Sequence, residues 1–313
     1  MASVDLKIGM TYLSQTVVGI LGNFSLLYMS LYFRGCRSRP TDLILRHLTV
    51  ANSLVILSRG VPETMAALWG KHFANDFGCC VLLYVHRVGR GMSIGSTCLL
   101  SVFQAITISP WNSTWAELKV IAPKSIGSPA ILCWVLHMLA NVFYPVYTTG
   151  KKSNKNITKK NDFRYCAAFD RLDKVTGSVY AALTSFHDVL CLGLMLGASS
   201  SMVSILQRHK QRVQHIHRTS LCPRPSPETR AMQSILLLVT TFVLFYALSS
   251  SIYVYLALFS VSSWWLVTSA VLIAAGFPTI SPFVLMISDP GISRLCVSAV
   301  EEITEPPHLF REP

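Results

Sequence analysis

Charged side chains are scarce in this sequence, and their scarcity excludes a large water-soluble core. Asp, Glu, Lys and Arg make up 13% of the 313 residues, whereas about a quarter is usual in soluble domains. Hydrophobic residues make up 51%, and the mean hydropathy is +0.46. The composition therefore predicts an integral membrane protein.

The sequence also lacks the motifs of catalysis and metal binding. It contains no HExxH and no phosphate-binding loop, and its nine cysteines do not have zinc spacing. No internal repeat and no low-complexity linker divides the chain. We therefore predict one domain, residues 1–313, that is not an enzyme and has no cofactor and no metal site.

Acidic residues are few, and the formal net charge of +12 raises the question of a nucleic-acid partner. The basic residues, however, lie in short segments between long apolar runs. Segments in these positions contact the anionic headgroups of membrane lipids. We predict membrane lipids as partners and no nucleic acid.

Seven apolar runs are long enough to cross a bilayer, for which about 20 residues of helix suffice. Residues 231–288 hold no Asp, Glu, Lys, Arg or His, and one helix of that length would measure about 87 Å. This stretch must therefore fold back, and 260–263 is the predicted turn. The prediction is an all-α membrane protein, a seven-transmembrane-helix bundle with spans at about 8–33, 43–69, 77–109, 125–149, 175–207, 231–259 and 264–288.

Two covalent signals set the predicted orientation. The sequon at Asn156, in the long polar segment between spans four and five, can be glycosylated only on the luminal side. Cys79 or Cys80, at the start of span three, lies on the same side as Cys166, and a bridge there needs an oxidising compartment. We predict an outside N-terminus, a cytoplasmic C-terminus with a short tail at 289–313, and silent sequons at Asn23 and Asn112.

Span three carries three basic side chains, His86, Arg87 and Arg90, within one to three turns of its outer end. A charge at that depth is costly unless it meets a partner or water. These side chains should face the bundle interior, where Glu63, Asp188 or a ligand carboxylate can pair with them. The alternative is a salt-bridge network that only holds the helices together.

Other polar and aromatic residues inside the spans can belong either to the ligand pocket or to the packing between helices. His187, beside Asp188, is a candidate for the ligand pocket, whereas His137 is expected to be a hydrogen-bonded interior residue. The aromatic residues of span six are expected to pack between helices; they include Phe242, Phe245, Tyr246 and Tyr253. Pro278 and Pro282 each remove a backbone hydrogen bond and should kink span seven.

Several stretches resemble the vomeronasal type-1 receptors, a family of pheromone receptors among the G-protein-coupled receptors. They run in order along nearly the whole chain: LYFRGCRSRPTDLILRHLTVANSLVILSRGVPETMAALWG, FGCCVLLYVHRVGRGMSIGSTCLLSVFQAITISP, SFHDVL, RHKQRVQHIHRTS, SPETRAMQSIL and GFPTISPFVLM. The sequence differs from typical rhodopsin-like receptors at two landmarks. Asn52 stands where an Asp is usual in span two, and the end of span three has Gln104 where an Asp-Arg-Tyr motif is usual.

This resemblance implies a plasma-membrane receptor for small chemosensory ligands that signals through a heterotrimeric G protein of the inhibitory class. It favours Cys79 as the partner of Cys166. It also implies that the inner ends of spans three and five face the G protein, with Gln104, Arg208, Lys210 and Arg212 as candidate residues.

Two other functions remain as alternatives. A seven-helix transporter or channel would show inverted repeats or broken helices in corresponding halves, and the sequence shows no such repeat. A receptor-like protein that no longer signals would have the same sequence features. Arg87 and Arg90 favour an anionic or carbonyl-bearing ligand, and the apolar walls favour a volatile or steroid-like body.

Overall fold

The protein is a bundle of long α-helices. The computed structural model describes residues 2–32, 40–69, 76–110, 117, 119–121, 127–142, 174–216, 227–259 and 264–287, and no strand occurs within these ranges. The helices are α1 Ala2–Tyr32, α2 Pro40–Trp69, α3 Asp76–Ile108, α4 Gly127–Asn141, α5 Lys174–Ile216, α6 Pro227–Phe259, α7 Trp264–Ala274 and α8 Gly276–Ile287. Only Ala275 separates α7 from α8, so these two helices form the seventh rod of the bundle.

The distribution of polar and apolar side chains is that of a protein solvated by lipid. Asn23 and Asn52 are each 1% exposed, whereas Leu132 is 57%, Phe186 68% and Val189 67% exposed. Soluble monomers rarely expose apolar surface of large extent. Among the described residues, four stretches are long and apolar enough to span a bilayer: Phe77–Ile108, Ser185–Arg208, Met232–Ile252 and Trp265–Ile287.

α3 is the central helix of the bundle, in contact with α2, α4, α5 and α6. Its middle section is buried on nearly all sides, because Met92, Ser96 and Thr97 are all completely or almost completely inaccessible. A continuous apolar core joins α3 to its neighbours through Ile44, Leu48, Ile94, Leu100, Phe103, Met195, Met202, Leu238, Phe242, Phe277 and Val284. Side chains on α3 are therefore well placed to form a site between the helices.

The seventh rod is interrupted at Ala275. Pro278 has no N–H to donate to the carbonyl four residues earlier, so the helical ladder cannot continue regularly through this point. The N–H of Ala275 donates to the carbonyl of Val271, at 3.1 Å between nitrogen and oxygen, and the N–H of Thr279 donates to the carbonyl of Ala275, at 3.2 Å. The interruption lies near Pro278, one of the two prolines that were expected to kink this span, whereas Pro282 lies within α8.

Several helices differ in length from the apolar runs. α5 continues as a helix to Ile216, and α1 begins at Ala2, because charged and polar residues can extend a helix beyond the hydrocarbon layer. α4 ends at Asn141, whereas the predicted span continued to residue 149, and residues 143–149 lie outside the described ranges. Also outside them are Asn156, Cys166, the predicted turn 260–263 and the tail 289–313.

Candidate ligand-binding site

A cavity of about 640 Å³, part of it open to solvent, lies between α2, α3, α6 and the seventh rod. The residues that line it are Val55, Arg59, His86, Arg90, Ser93, Ile94, Phe242, Phe245, Tyr246, Ser249, Ser250, Ala274, Phe277 and Pro278. The cavity is thus built by the central helix and by the interrupted helix pair.

The lining of the cavity has a basic side and an aromatic side. Arg59 comes from α2, and His86 and Arg90 come from α3. His86 and Arg90 are four residues apart in the sequence, which places them on one helical face. The lining from α6 and α8 is aromatic: the ring centroids of Phe242 and Phe277 are 4.9 Å apart in an edge-to-face arrangement. This combination suits a ligand with an apolar body and a negatively charged or strongly polar end.

Arg90 links the cavity to α5. Its Nη2 atom lies 3.6 Å from Oδ2 of Asp188, and its guanidinium carbon lies 5.5 Å from the ring centroid of Tyr246. The hydroxyl of Tyr246 donates to the same Asp188 oxygen at 3.1 Å. The side chain of Arg90 is 49% exposed, whereas that of Asp188 is 16% exposed, so Arg90 remains accessible from the cavity.

The structure brings together some of the predicted pocket residues but not all of them. His86 and Arg90 line the cavity, and Ser58 Oγ lies 3.5 Å from Nδ1 of His86. His187 and Asp188 lie behind Arg90 on α5, where Nδ1 of His187 is 3.4 Å from Oδ1 of Asp188. Two further candidates, Glu63 and Arg87, do not line this cavity; Glu63 is buried in α2.

Sequence reasoning missed other lining residues. Arg59 lies four residues before Glu63 on α2, a spacing that suggests a pair within the helix, although an arginine inside a span is itself a signal of a site. Phe242, Phe245 and Tyr246 of span six were expected to pack between helices, and they also line the cavity. Nothing in the sequence pattern distinguishes Ser93, Ser249 and Ser250, also lining residues, from other serines of the spans.

A buried polar network lies next to the cavity residue Ser93. Ser93 donates from Oγ to Oδ1 of Asn52 at 2.6 Å, and Asn52 donates from Nδ2 to Oγ of Ser281 at 2.9 Å. Asn23 donates to the carbonyl of Pro278, also at 2.9 Å. These bonds join α1, α2, α3 and α8 through buried side chains, so one cavity wall is coupled to the bundle interior.

The predicted G-protein-facing residues lie toward the other end of α3 and at the end of α5. Gln104 is 9% exposed, and Arg208 is exposed. Lys210 and Arg212 belong to the helical extension of α5, and their side chains lie outside the part of the structure that is described. From Arg208 to Ile216 this extension adds about 12 Å of helix.

The two adjacent cysteines at the start of α3 differ in state. Cys79 is disulfide-bonded and 2% exposed, whereas Cys80 is a free, buried thiol. Cys166 lies outside the described residues. The preference for Cys79 as the bridging cysteine agrees with this difference, and the pairing with Cys166 stays a prediction.

The arrangement of the helices resembles that of a solved receptor. Squid rhodopsin superposes with a TM-score of 0.72 over 97% of this chain and 87% of that chain, at 15% sequence identity. The protein therefore has the seven-helix fold of the rhodopsin-like G-protein-coupled receptors, and the predicted fold class is confirmed.

Sequence comparison gives the family. The model of the vomeronasal organ pheromone receptor family matches residues 6–298, and the chain belongs to that family. Human vomeronasal type-1 receptor 2 is 70% identical over 286 residues, which are 91% of this chain and 72% of that receptor. Human vomeronasal type-1 receptor 4 is 54% identical over 298 residues, 95% and 98% of the two chains. The resemblance found in the sequence is confirmed: this is a multi-pass receptor of the plasma membrane and not an enzyme.

Proposed function

We propose that this receptor binds a small chemosensory ligand with an anionic or carbonyl-bearing end in the cavity beside Arg90, and that it signals through a heterotrimeric G protein. The observation that carries the proposal is the placement of Arg59, His86 and Arg90 on one side of a cavity with aromatic walls. A cationic group that is partly shielded by the surrounding protein attracts negative charge more strongly than in bulk solvent. The aromatic wall supplies apolar contact for the rest of the ligand.

The ion pair between Arg90 and Asp188 offers a mechanism for ligand response. An anionic ligand that approaches Arg90 competes with Asp188 for the guanidinium group, whose side chain is half exposed. Loss of the ion pair releases a connection between α3 and α5. If the receptor exchanges between a connected and a released arrangement, a ligand that binds the released one better shifts the population toward it.

The proposed contact with the G protein on the cytoplasmic side rests on the helical extension of α5. We infer that Arg208, Lys210 and Arg212 face the G protein together with Gln104 at the inner end of α3. Arg208 is exposed, and the basic segment remains helical to Ile216, which gives a partner a rigid surface. By family resemblance the partner is a G protein of the inhibitory class.

The outer side of the receptor is proposed to be tied together by a bridge from Cys79 to Cys166 and glycosylated at Asn156. The disulfide-bonded state of Cys79 supports an oxidising environment at the start of α3. This assignment places the N-terminus outside and the tail 289–313 in the cytoplasm.

A cell-based assay of G-protein activation tests the proposed function. Cells that express the receptor should respond to members of a panel of volatiles and steroid sulfates, with each steroid sulfate compared with its uncharged parent steroid. We expect the sulfated member of a pair to activate at concentrations at least about tenfold lower, since one charge-assisted hydrogen bond is worth about 1.5–3 kcal/mol. Arg90→Gln should remove this difference.

Arg87→Gln is the matched control, because Arg87 carries the same charge on the same helix but does not line the cavity. Surface expression of each variant is measured in parallel. An equal response of Arg90→Gln and the unmodified receptor to a sulfated ligand would contradict the placement of the ligand. Ligand binding at the surface without G-protein activation would favour a receptor-like protein that no longer signals, and ligand-dependent current or uptake without a G protein would favour a transporter or channel.

A further inference from the structure

The facing sides of α4 and α5 carry a cluster of nitrogen and sulfur side chains next to the cavity but outside its lining. Ligand atoms of Cys133, His137 and His187 all lie within 4.8 Å of one another. The Sγ of Cys191 lies 3.5 Å from Nε2 of His187. The sequence does not predict this site. The α4 and α5 parts of the cluster are 50 positions apart in the chain, and neither part has a zinc-finger spacing.

The spacing within each helix explains how the cluster forms. Cys133 precedes His137 by four residues on α4, and His187 precedes Cys191 by four residues on α5. Side chains four residues apart lie on one face of a helix, and two ligands at this spacing can bind one metal ion. The imidazole rings of His137 and His187 meet edge to face, with centroids 4.6 Å apart, so the two pairs face each other.

α3 provides the space that this cluster needs. A Cβ atom at Gly95 would lie 2.6 Å from the Sγ of Cys133, and a Cβ atom at Gly91 would collide with the imidazole of His137. Any larger residue at these two positions would push α4 side chains away. The absence of both side chains allows Cys133 and His137 to reach the α4–α5 interface beside α3.

Asp188 completes the arrangement by orienting His187. Its Oδ1 lies 3.4 Å from Nδ1 of His187, which leaves Nε2 directed at Cys191. Histidines that bind metals in proteins usually have the second ring nitrogen held by a carboxylate in this way. Asp188 is therefore a positioning residue for the cluster.

We propose that Cys133, His137, His187 and Cys191 bind one zinc ion between α4 and α5. Two thiolates and two imidazoles are a common tetrahedral ligand set of zinc. Two thiolates also balance the charge of Zn²⁺, so the occupied site has no net charge and suits a helix interface within the membrane, where an unbalanced charge is costly. On binding, the two thiol protons are released to solvent, and no redox step occurs.

Zinc content of the full-length receptor, purified in lipid nanodiscs and dialysed against a weak chelator, is the direct test. We expect one zinc ion per unmodified receptor and none in the Cys133→Ser/His137→Asn double variant. Cys80→Ala is the matched control. It removes a free and buried thiol of α3 that does not belong to the cluster, and it should retain the ion. Asp188→Asn should weaken zinc affinity about 10- to 100-fold, the usual effect of losing such a positioning group.

Cobalt(II) substitution gives a second, spectroscopic readout that reports directly on thiolate ligation. The unmodified receptor should show the charge-transfer absorption of a cobalt thiolate, and Cys191→Ser should reduce it. Absence of bound zinc from a monodisperse, unmodified receptor would overturn the proposal. Equal zinc content in the double variant, or retention of cuprous copper but not zinc, would overturn it as well.

Discussion

Asn52 of α2 and Ser281 of α8 are joined by a hydrogen bond in the dry interior of the bundle. The Nδ2 atom of Asn52 donates to Oγ of Ser281 at 2.9 Å, and both residues are 1% exposed. The Oδ1 atom of Asn52 accepts a further bond from Ser93 of α3. The single amide group of Asn52 therefore bonds to two other helices, α3 and α8, from α2.

Asn52→Leu is expected to lower the thermal unfolding midpoint of the receptor in nanodiscs. The hydroxyls of Ser93 and Ser281 would lose their partner, and buried polar groups without a partner cost about 1–3 kcal/mol each. Ser96→Ala is the control on α3, because the Ser96 hydroxyl is buried with no hydrogen-bond partner among the described residues. A fall in the midpoint of equal size for both variants would show that the network does not stabilise the bundle.

The ion pair of Arg90 and Asp188 should show energetic coupling in a double-mutant cycle. Arg90→Gln and Asp188→Asn, singly and together, are expected to give a coupling of about 0.2–1 kcal/mol in the free energy of unfolding, the range of solvent-accessible ion pairs. The value should be small because the Arg90 side chain is 49% exposed. A cycle with Arg87→Gln in place of Arg90→Gln is the control, and coupling of the same size there would assign the effect to general charge.

Cys79→Ser and Cys80→Ser are expected to have different effects on surface expression. Cys79 is disulfide-bonded, and loss of a native disulfide costs about 2–5 kcal/mol in small secreted domains. Cys80 is a free thiol, and its substitution should be tolerated. Quantitative surface labelling measures the outcome, and Cys166→Ser should match Cys79→Ser. If Cys80→Ser and Cys166→Ser form the matching pair instead, the bridge runs from the other cysteine.

Asn156→Gln is expected to abolish N-glycosylation of the receptor. Enzymatic removal of the glycan should increase the gel mobility of the unmodified protein and leave the variant unchanged. Asn23 has a sequon too, but it is 1% exposed and donates to the carbonyl of Pro278, so Asn23→Gln should leave the glycan in place. A glycan that persists in Asn156→Gln would show that a different asparagine is modified. The predicted orientation of the receptor would then lose its support.

The fold was predictable because the lipid environment imposes a simple rule on the sequence. A charge is costly in hydrocarbon, so uncharged runs mark the helices, and charges that remain inside them mark a site. His86 and Arg90 were found on this ground alone. Pro278 likewise indicated the interruption of the seventh rod, because a missing N–H has a local consequence in any helix.

Contacts between distant segments were not predictable in the same way. Arg59 lines the cavity although Glu63 lies one turn away on the same helix, and only the packing of α2 against α3 decides which direction its side chain takes. Tyr246 looked like a packing residue, but its hydroxyl bonds Asp188. The meeting of Cys133 with His187 depends on the rotation of α4 and α5 about their axes, which no pattern within either helix specifies.

The interruption at Ala275 divides the seventh rod into two levers with a shared pivot. Ala274, Phe277 and Pro278 beside the pivot touch the cavity, and Ser281, one turn further, holds Asn52. We expect a bulky ligand that contacts Phe277 to change the angle between α7 and α8. The first contact to be affected should be the hydrogen bond between Ser281 and the side-chain amide of Asn52. A small bend of the seventh rod then reports that the cavity is occupied, while the other helices keep their positions.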